Sequence, residues 1–138
     1  MKVIVAVDDD NGMMFNHRRQ SQDRLLREHM LVIAEKSNLW INEYSSKQFE
    51  SNDKIHVSND FMNEASEGDY CFVEDQMISQ FENKIEEMII FKWNRRYPGD
   101  VFLDFFPVEH NMKCVRNEDF AGSSHDKISM EVWVRDGV

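Results

Sequence analysis

A chain of 138 residues that is 41% hydrophobic and 12% aromatic is long enough for one cored domain, residues 1–138, and too apolar to be disordered. Its net charge of −10 repels phosphate backbones and membrane surfaces, which argues against nucleic acid as a partner for the acidic body. The longest apolar runs, 3–7 and 88–91, fall far short of the ~20 residues that span a membrane, and the aspartates at 8–10 break any secretion-signal pattern, so a cytoplasmic location is expected.

Residues 2–7 read as a strand buried on both faces, because the apolar run is short, continuous and β-branched. Residues 8–17 read as a loop carrying Asn-Gly turn chemistry. Ser21 is the expected N-cap of a helix whose apolar stripe is Leu25, Leu26, His29, Met30 and Ile33. A short strand at 39–41 precedes a brief helix capped by Ser45 or Ser46, and 55–58 and 70–73 are further strands. Met77, Ile78, Phe81 and Ile85 mark another amphipathic helix, and 88–93 returns as a strand. Residues 101–106, 112–118 and 128–135 are strand-like, the last alternating Ile128, Met130, Val132 and Val134 with polar or bulky neighbours. This order predicts an α/β domain with a mostly parallel central sheet, flanking helices and a closing antiparallel strand pair. Cys71 and Cys114 each lie in an apolar run and read as buried thiols.

Charge is unevenly spread. From Glu50 to Glu87 the only bases opposing the acids are Lys54 and Lys84, while Arg18, Arg19, Arg24 and Arg27 outnumber Asp23 and Glu28 in the segment from Met13 to His29. The cluster Asn16-His17-Arg18-Arg19, followed by Asp23, is dense in side chains that do chemistry. His17 is an acid or base near neutral pH. Arg18 and Arg19 can grip a phosphate bidentately. His29 reads as packed and His56 as a partly exposed sheet residue, and His110 and His125 show no ligand spacing. Asp8-Asp9-Asp10 lacks a partner set for a cation, so no metal is expected.

Several of these segments together resemble the dihydrofolate reductase family. Asn11-Gly12 opens a loop after the first strand, and Asp23 stands two residues after Ser21, where the family has its acid near a helix start. Leu39-Trp40-Ile41 with Ser45, then Gly99-Asp100 with Phe105-Phe106-Pro107, match further family segments in order. Ser124-His125 and Glu131-Val132-Trp133-Val134-Arg135 resemble its closing strand. The resemblance implies a dihydrofolate-reductase-like fold, NADPH as cofactor, and Asp23 pairing with the edge of a pterin ring.

The departures fall on function. Val73-Glu74-Asp75-Gln76 stands where the family has the Gly-Gly pair that lets backbone approach a pyrophosphate. Asn42-Glu43 replaces Gly-Arg, Asn59 replaces an arginine, and Phe91 replaces a supporting strand hydroxyl. Arg18 or Arg19 occupies the place of the family's tryptophan. Each phosphate-binding device has been exchanged for a polar or acidic residue, which disfavours NADPH and leaves no cofactor expected. The expectation is a small anionic or heterocyclic ligand held near Asp23, with Asp23 and His17 as catalytic candidates and Asn16, Arg18, Arg19 and Ser45 as ligand contacts. A weak NADPH-dependent reductase is one alternative. Another is an acidic mimic of nucleic acid that captures a protein partner through the surface from Glu50 to Glu87. RNA processing by the cluster from His17 to Arg19 is a further one.

Overall fold

The structure is a computed structural model and describes residues 1–135. A seven-stranded sheet runs in the order β5-β4-β6-β1-β7-β10-β9. Strands β1 (Lys2–Val7), β4 (Leu39–Ile41), β5 (Ile55–Val57), β6 (Tyr70–Phe72) and β7 (Glu87–Lys92) pair in parallel. Strand β10 (Ile128–Arg135) then runs antiparallel to β7 and to the edge strand β9 (Met112–Phe120). This is the mixed α/β arrangement the element order predicts.

β1 lies at the centre because it can be buried on both sides. Val3, Val5 and Val7 pack into one core layer with Met88, Ile90, Phe61 and Phe105. Ile4 faces the opposite layer with Ile89, Phe91, Leu26 and Met30. Helix α1 (Arg24–Ile33) covers that second layer, and Leu26 and Met30 are its buried residues. Each side chain contributes roughly 1.5–3 kcal/mol by leaving water. The first layer is covered by helix α3 (Phe61–Glu64), a 3₁₀ turn at Ser79–Lys84 and a small second sheet. That sheet holds β2 (Gly12–Phe15) between β3 (Arg18–Arg19) and β8 (Val101–Phe102).

Several elements differ from the sequence expectation. Residues 8–17 are not all loop, because 12–15 form β2; its partner β8 lies far along the chain and leaves no local signal. The β2–β3 turn places Asn16 (φ 51) and His17 (φ 64) in the left-handed region that a two-residue hairpin with matching twist requires. Helix α1 is capped by Asp23, not Ser21, and helix α2 (Glu43–Ser46) by Asn42, not by Ser45 or Ser46. The stripe from Met77 to Ile85 forms a 3₁₀ turn, whose leading N–H groups at Ile78 and Ser79 are taken by Asp104. β8 ends at Phe102, well short of residue 106, and α3 carries no sequence signal strong enough to predict it. Cys71 is buried, but Cys114 is exposed, since the edge strand β9 is exposed at every residue from Lys113 to Asp119.

Candidate functional site

The parallel strands β1, β6 and β7 present their carboxyl ends to one crevice, where ligands of open α/β sheets usually bind. A pocket opens there, lined among others by Ala6, Arg19, Ser21, Arg27, Glu74 and Trp93. Its enclosed volume is about 20 Å³, which suits one ordered water or the tip of a ligand rather than a fused ring.

Asp23 forms one wall. Its backbone is extended (φ −154, ψ 128), which places its carboxylate beneath the first turn of α1. Oδ1 accepts the N–H groups of Leu25 (2.9 Å), Leu26 (3.2 Å) and Ser123 (3.0 Å). Oδ2 accepts the Ser124 N–H (2.9 Å) and Oγ–H (3.1 Å) and the ring of His125 at Nδ1 (2.9 Å). Burial pushes the acid up, but the Ser124 amide, the His125 ring and the Ser123 and Leu26 amides outweigh it and hold the carboxyl well below the usual range. The side chains of this pair are 0% and 4% exposed. Gly122 lets the turn close on Asp23, since a Cβ there would collide with Oδ2 and lie 2.9 Å from Ile128 Cδ1.

His125 is held on every side. Nδ1 donates to Asp23, so Nε2 of the neutral ring is an acceptor. It receives the hydroxyl of Ser21 at 2.8 Å and, less closely, that of Tyr97 at 3.2 Å. The ring stacks on Trp93 with centroids 4.6 Å apart.

The opposite wall is Glu74, 8% exposed. Arg19 grips it bidentately, Nε to Oε2 at 2.8 Å and Nη2 to Oε1 at 3.2 Å. Ser45 Oγ (2.8 Å) and Gln48 Nε2 (2.9 Å) also donate to Oε1. Arg19 is further positioned by Tyr44, whose hydroxyl accepts its backbone N–H at 2.8 Å and whose ring lies 4.4 Å beneath its guanidinium. Burial opposes the arginine's charge, yet the hydrogen bond and the charge of Glu74 outweigh burial and raise its pKa. Arg27 differs: among the described residues its one hydrogen-bond partner is Gln22 Oε1 at 3.5 Å, and no carboxylate pairs with it.

The structure therefore brings Arg19 and Asp23 to one pocket and separates the rest of the predicted cluster. Asn16, His17 and Arg18 sit exposed on the β2–β3 hairpin, with the Asn16 N–H on Asp100, and do not line the pocket. Ser45 is fully buried behind Glu74. The acids between Glu50 and Glu87 are not one open surface. Glu74 is buried, Asp69 holds Trp40, Asn38 and the Ser66 amide, and Glu86 holds the terminal amine at 2.6 Å. The Asp8 carboxylate is filled by the amides of Asp10, Gly12 and Tyr97 and by Gln20. Sequence reasoning missed Ser21 and His125 as a pair, because 104 positions separate them.

No known family matches the sequence, and no curated protein does. Among solved structures the chain is similar to the dihydrofolate reductase from Enterococcus faecalis, solved complexed with NADP(H) and RAB-propyl. The TM-score is 0.65 over 99% of this chain and 96% of that one, at 9% sequence identity. The likeness is one of fold. Among the described residues no helix is long and apolar enough to cross a membrane.

Proposed function

We propose that this dihydrofolate-reductase-like fold has dropped nicotinamide-dependent reduction and binds a small anionic ligand in the pocket between Asp23 and Glu74. The observation that carries the reading is Arg27, a cation lining the pocket with no carboxylate partner among the described residues. Arg19 is already paired with Glu74, so Arg27 is the pocket's cation left free of a carboxylate partner among the described residues. The heterocycle half of the expectation is weakened by Asp23 itself. Both its oxygens are occupied by backbone and ring donors, so it anchors a helix and a turn instead of offering an edge to a pterin.

A nicotinamide dinucleotide does not fit the residues after β6. The segment there presents Glu74 and Asp75, and Asp75 is engaged by Asn42 at 2.9 Å. The next N–H groups that a pyrophosphate would use, those of Ile78 and Ser79, are taken by Asp104 at 2.8 and 3.2 Å. A phosphate would have to displace one carboxylate and lie against two others.

Amide resonances test both halves. Millimolar acetate or phosphate should shift residues 21–27 and Gln48, and Arg27→Met should abolish the shift. Micromolar NADPH binding, with loss of reduced-nicotinamide absorbance on adding dihydrofolate, would overturn the proposal.

A further inference from the structure

Ser21, His125 and Asp23 stand in the relative order of a hydrolytic triad. The Ser21 hydroxyl is 2.8 Å from His125 Nε2, and His125 Nδ1 is 2.9 Å from Asp23 Oδ2. Those are the contacts by which a base activates a serine and a buried carboxylate fixes the base's tautomer. The third group is better supported than a bare contact requires. Asp23 is held by the amides of Leu25, Leu26, Ser123 and Ser124, and the His125 ring is stacked on Trp93. The nucleophile is the least enclosed of the three: Ser21 is only partly buried, whereas Asp23, which lines the same pocket, and His125 are buried. Helix capping alone needs Asp23 but has no use for the Ser21–His125 contact.

We infer that Ser21 is a nucleophile that this pocket turns on a small carboxylic ester. Ser21 Oγ attacks the ester carbonyl carbon while its proton passes to His125 Nε2. Collapse of the tetrahedral intermediate breaks the bond to the alkoxy oxygen, which leaves with the proton from Nε2. The acyl group remains on Ser21. A water then gives its proton to Nε2 and attacks the acyl carbon, and the carboxylic acid departs as Ser21 recovers its proton. Asp23 stays ionised throughout and stabilises the imidazolium in both halves. Tyr97, 3.2 Å from Nε2, is a second hydroxyl at the base and shares it at longer range. Arg27 lines the same pocket and favours an ester carrying a carboxylate on its acyl side, such as a hemisuccinate. That preference rests on the anion-binding reading above; the nucleophile rests on the triad alone.

A neutral alkyl fluorophosphonate separates the two. Attack forms a phosphorus–oxygen bond at Ser21, breaks the phosphorus–fluorine bond and releases fluoride, leaving a mass increment that peptide mapping places. Wild type should be labelled at Ser21. Ser21→Ala, which removes a partly exposed hydroxyl and leaves the Asp23–His125 pair intact, should lower labelling and p-nitrophenyl acetate hydrolysis by roughly two orders of magnitude or more with an unchanged circular dichroism spectrum. His125→Gln should do the same if it folds. Arg27→Met should lose the preference for mono-p-nitrophenyl succinate over the acetate. No label on folded wild type, a label mapped elsewhere, or hydrolysis that survives Ser21→Ala would overturn the nucleophile. A retained label with no succinate preference in wild type would overturn only the anionic specificity.

Discussion

Replacing Asp23 by Asn keeps the size of the side chain and removes its charge. The amide oxygen can still accept from Leu25, Leu26 and Ser123. The NH₂ group must then face the Ser124 N–H and the His125 Nδ1–H, both of which are donors. Two buried hydrogen bonds to a charged acceptor are thus lost and their donors left opposed. At roughly 1.5–3 kcal/mol for each charged bond, and allowing for a shift of the turn, the cost is about 3–4 kcal/mol. For a domain of this length that lowers Tm by roughly 10 °C. The pH dependence gives an independent handle. The folded carboxyl sits below its unfolded value, so its stabilisation is full above the unfolded pKa and is lost as pH falls toward the folded one. With an unfolded value of ~3.9, about 1 kcal/mol of the gap between wild type and variant should vanish between pH 7 and pH 3. Urea unfolding at the two pH values measures both quantities. A variant within 1 kcal/mol of wild type at pH 7, or a gap that widens on acidification, would refute the assignment of Asp23 as the charged anchor.

Gly122→Ala should destabilise by about 2 kcal/mol, because the new methyl meets Asp23 Oδ2 and Ile128 Cδ1 and neither can yield cheaply; thermal melting checks it, and an unchanged Tm would mean the turn is loose. Iodoacetamide should modify Cys114 in the native protein and Cys71 only after unfolding, since burial pushes the Cys71 thiol up to about 12 while Cys114 is exposed; mass spectrometry of the native protein distinguishes the two, and native labelling of Cys71 would contradict the packing. Glu74→Gln removes the charge that neutralises Arg19. It should cost about 1–2 kcal/mol in stability while tightening acetate or phosphate binding by roughly tenfold, and unchanged anion affinity would show that the pocket's charge does not govern it.

Much of the sheet is legible in the sequence because its strands obey burial. The run Val3–Val7 has no polar interruption, and only a strand covered on both faces keeps such a run from water. The alternation through Ile128 and Met130 likewise matches their burial at the start of β10. Failures occur where a distant partner decides the outcome. Gly12–Phe15 becomes a strand because β8 pairs with it, and the 3₁₀ turn near Phe81 stays short while Asp104 caps it from another segment. The site shows the same division. Asp23 is conspicuous as an acid at a helix start, but local reasoning gives the cap to Ser21, and the structure gives it to Asp23. Its other partners, Ser123, Ser124 and His125, come from a turn near the end of the chain. The Arg18-Arg19 pair illustrates the limit from the other side. Adjacent in sequence, one points to solvent on a two-residue strand and the other locks onto Glu74.

Helix α1 is thus fastened at its start by a turn that the ribosome makes about a hundred residues later. During translation the carboxylate of Asp23 can bind its own helix, but the histidine that shares its charge has not yet emerged. The helix and the terminal hairpin must consequently lock as one late, cooperative event. Hydrogen exchange would reveal it, with the amides of Leu25 and Leu26 opening in step with those of β10 and not with their neighbours in the helix.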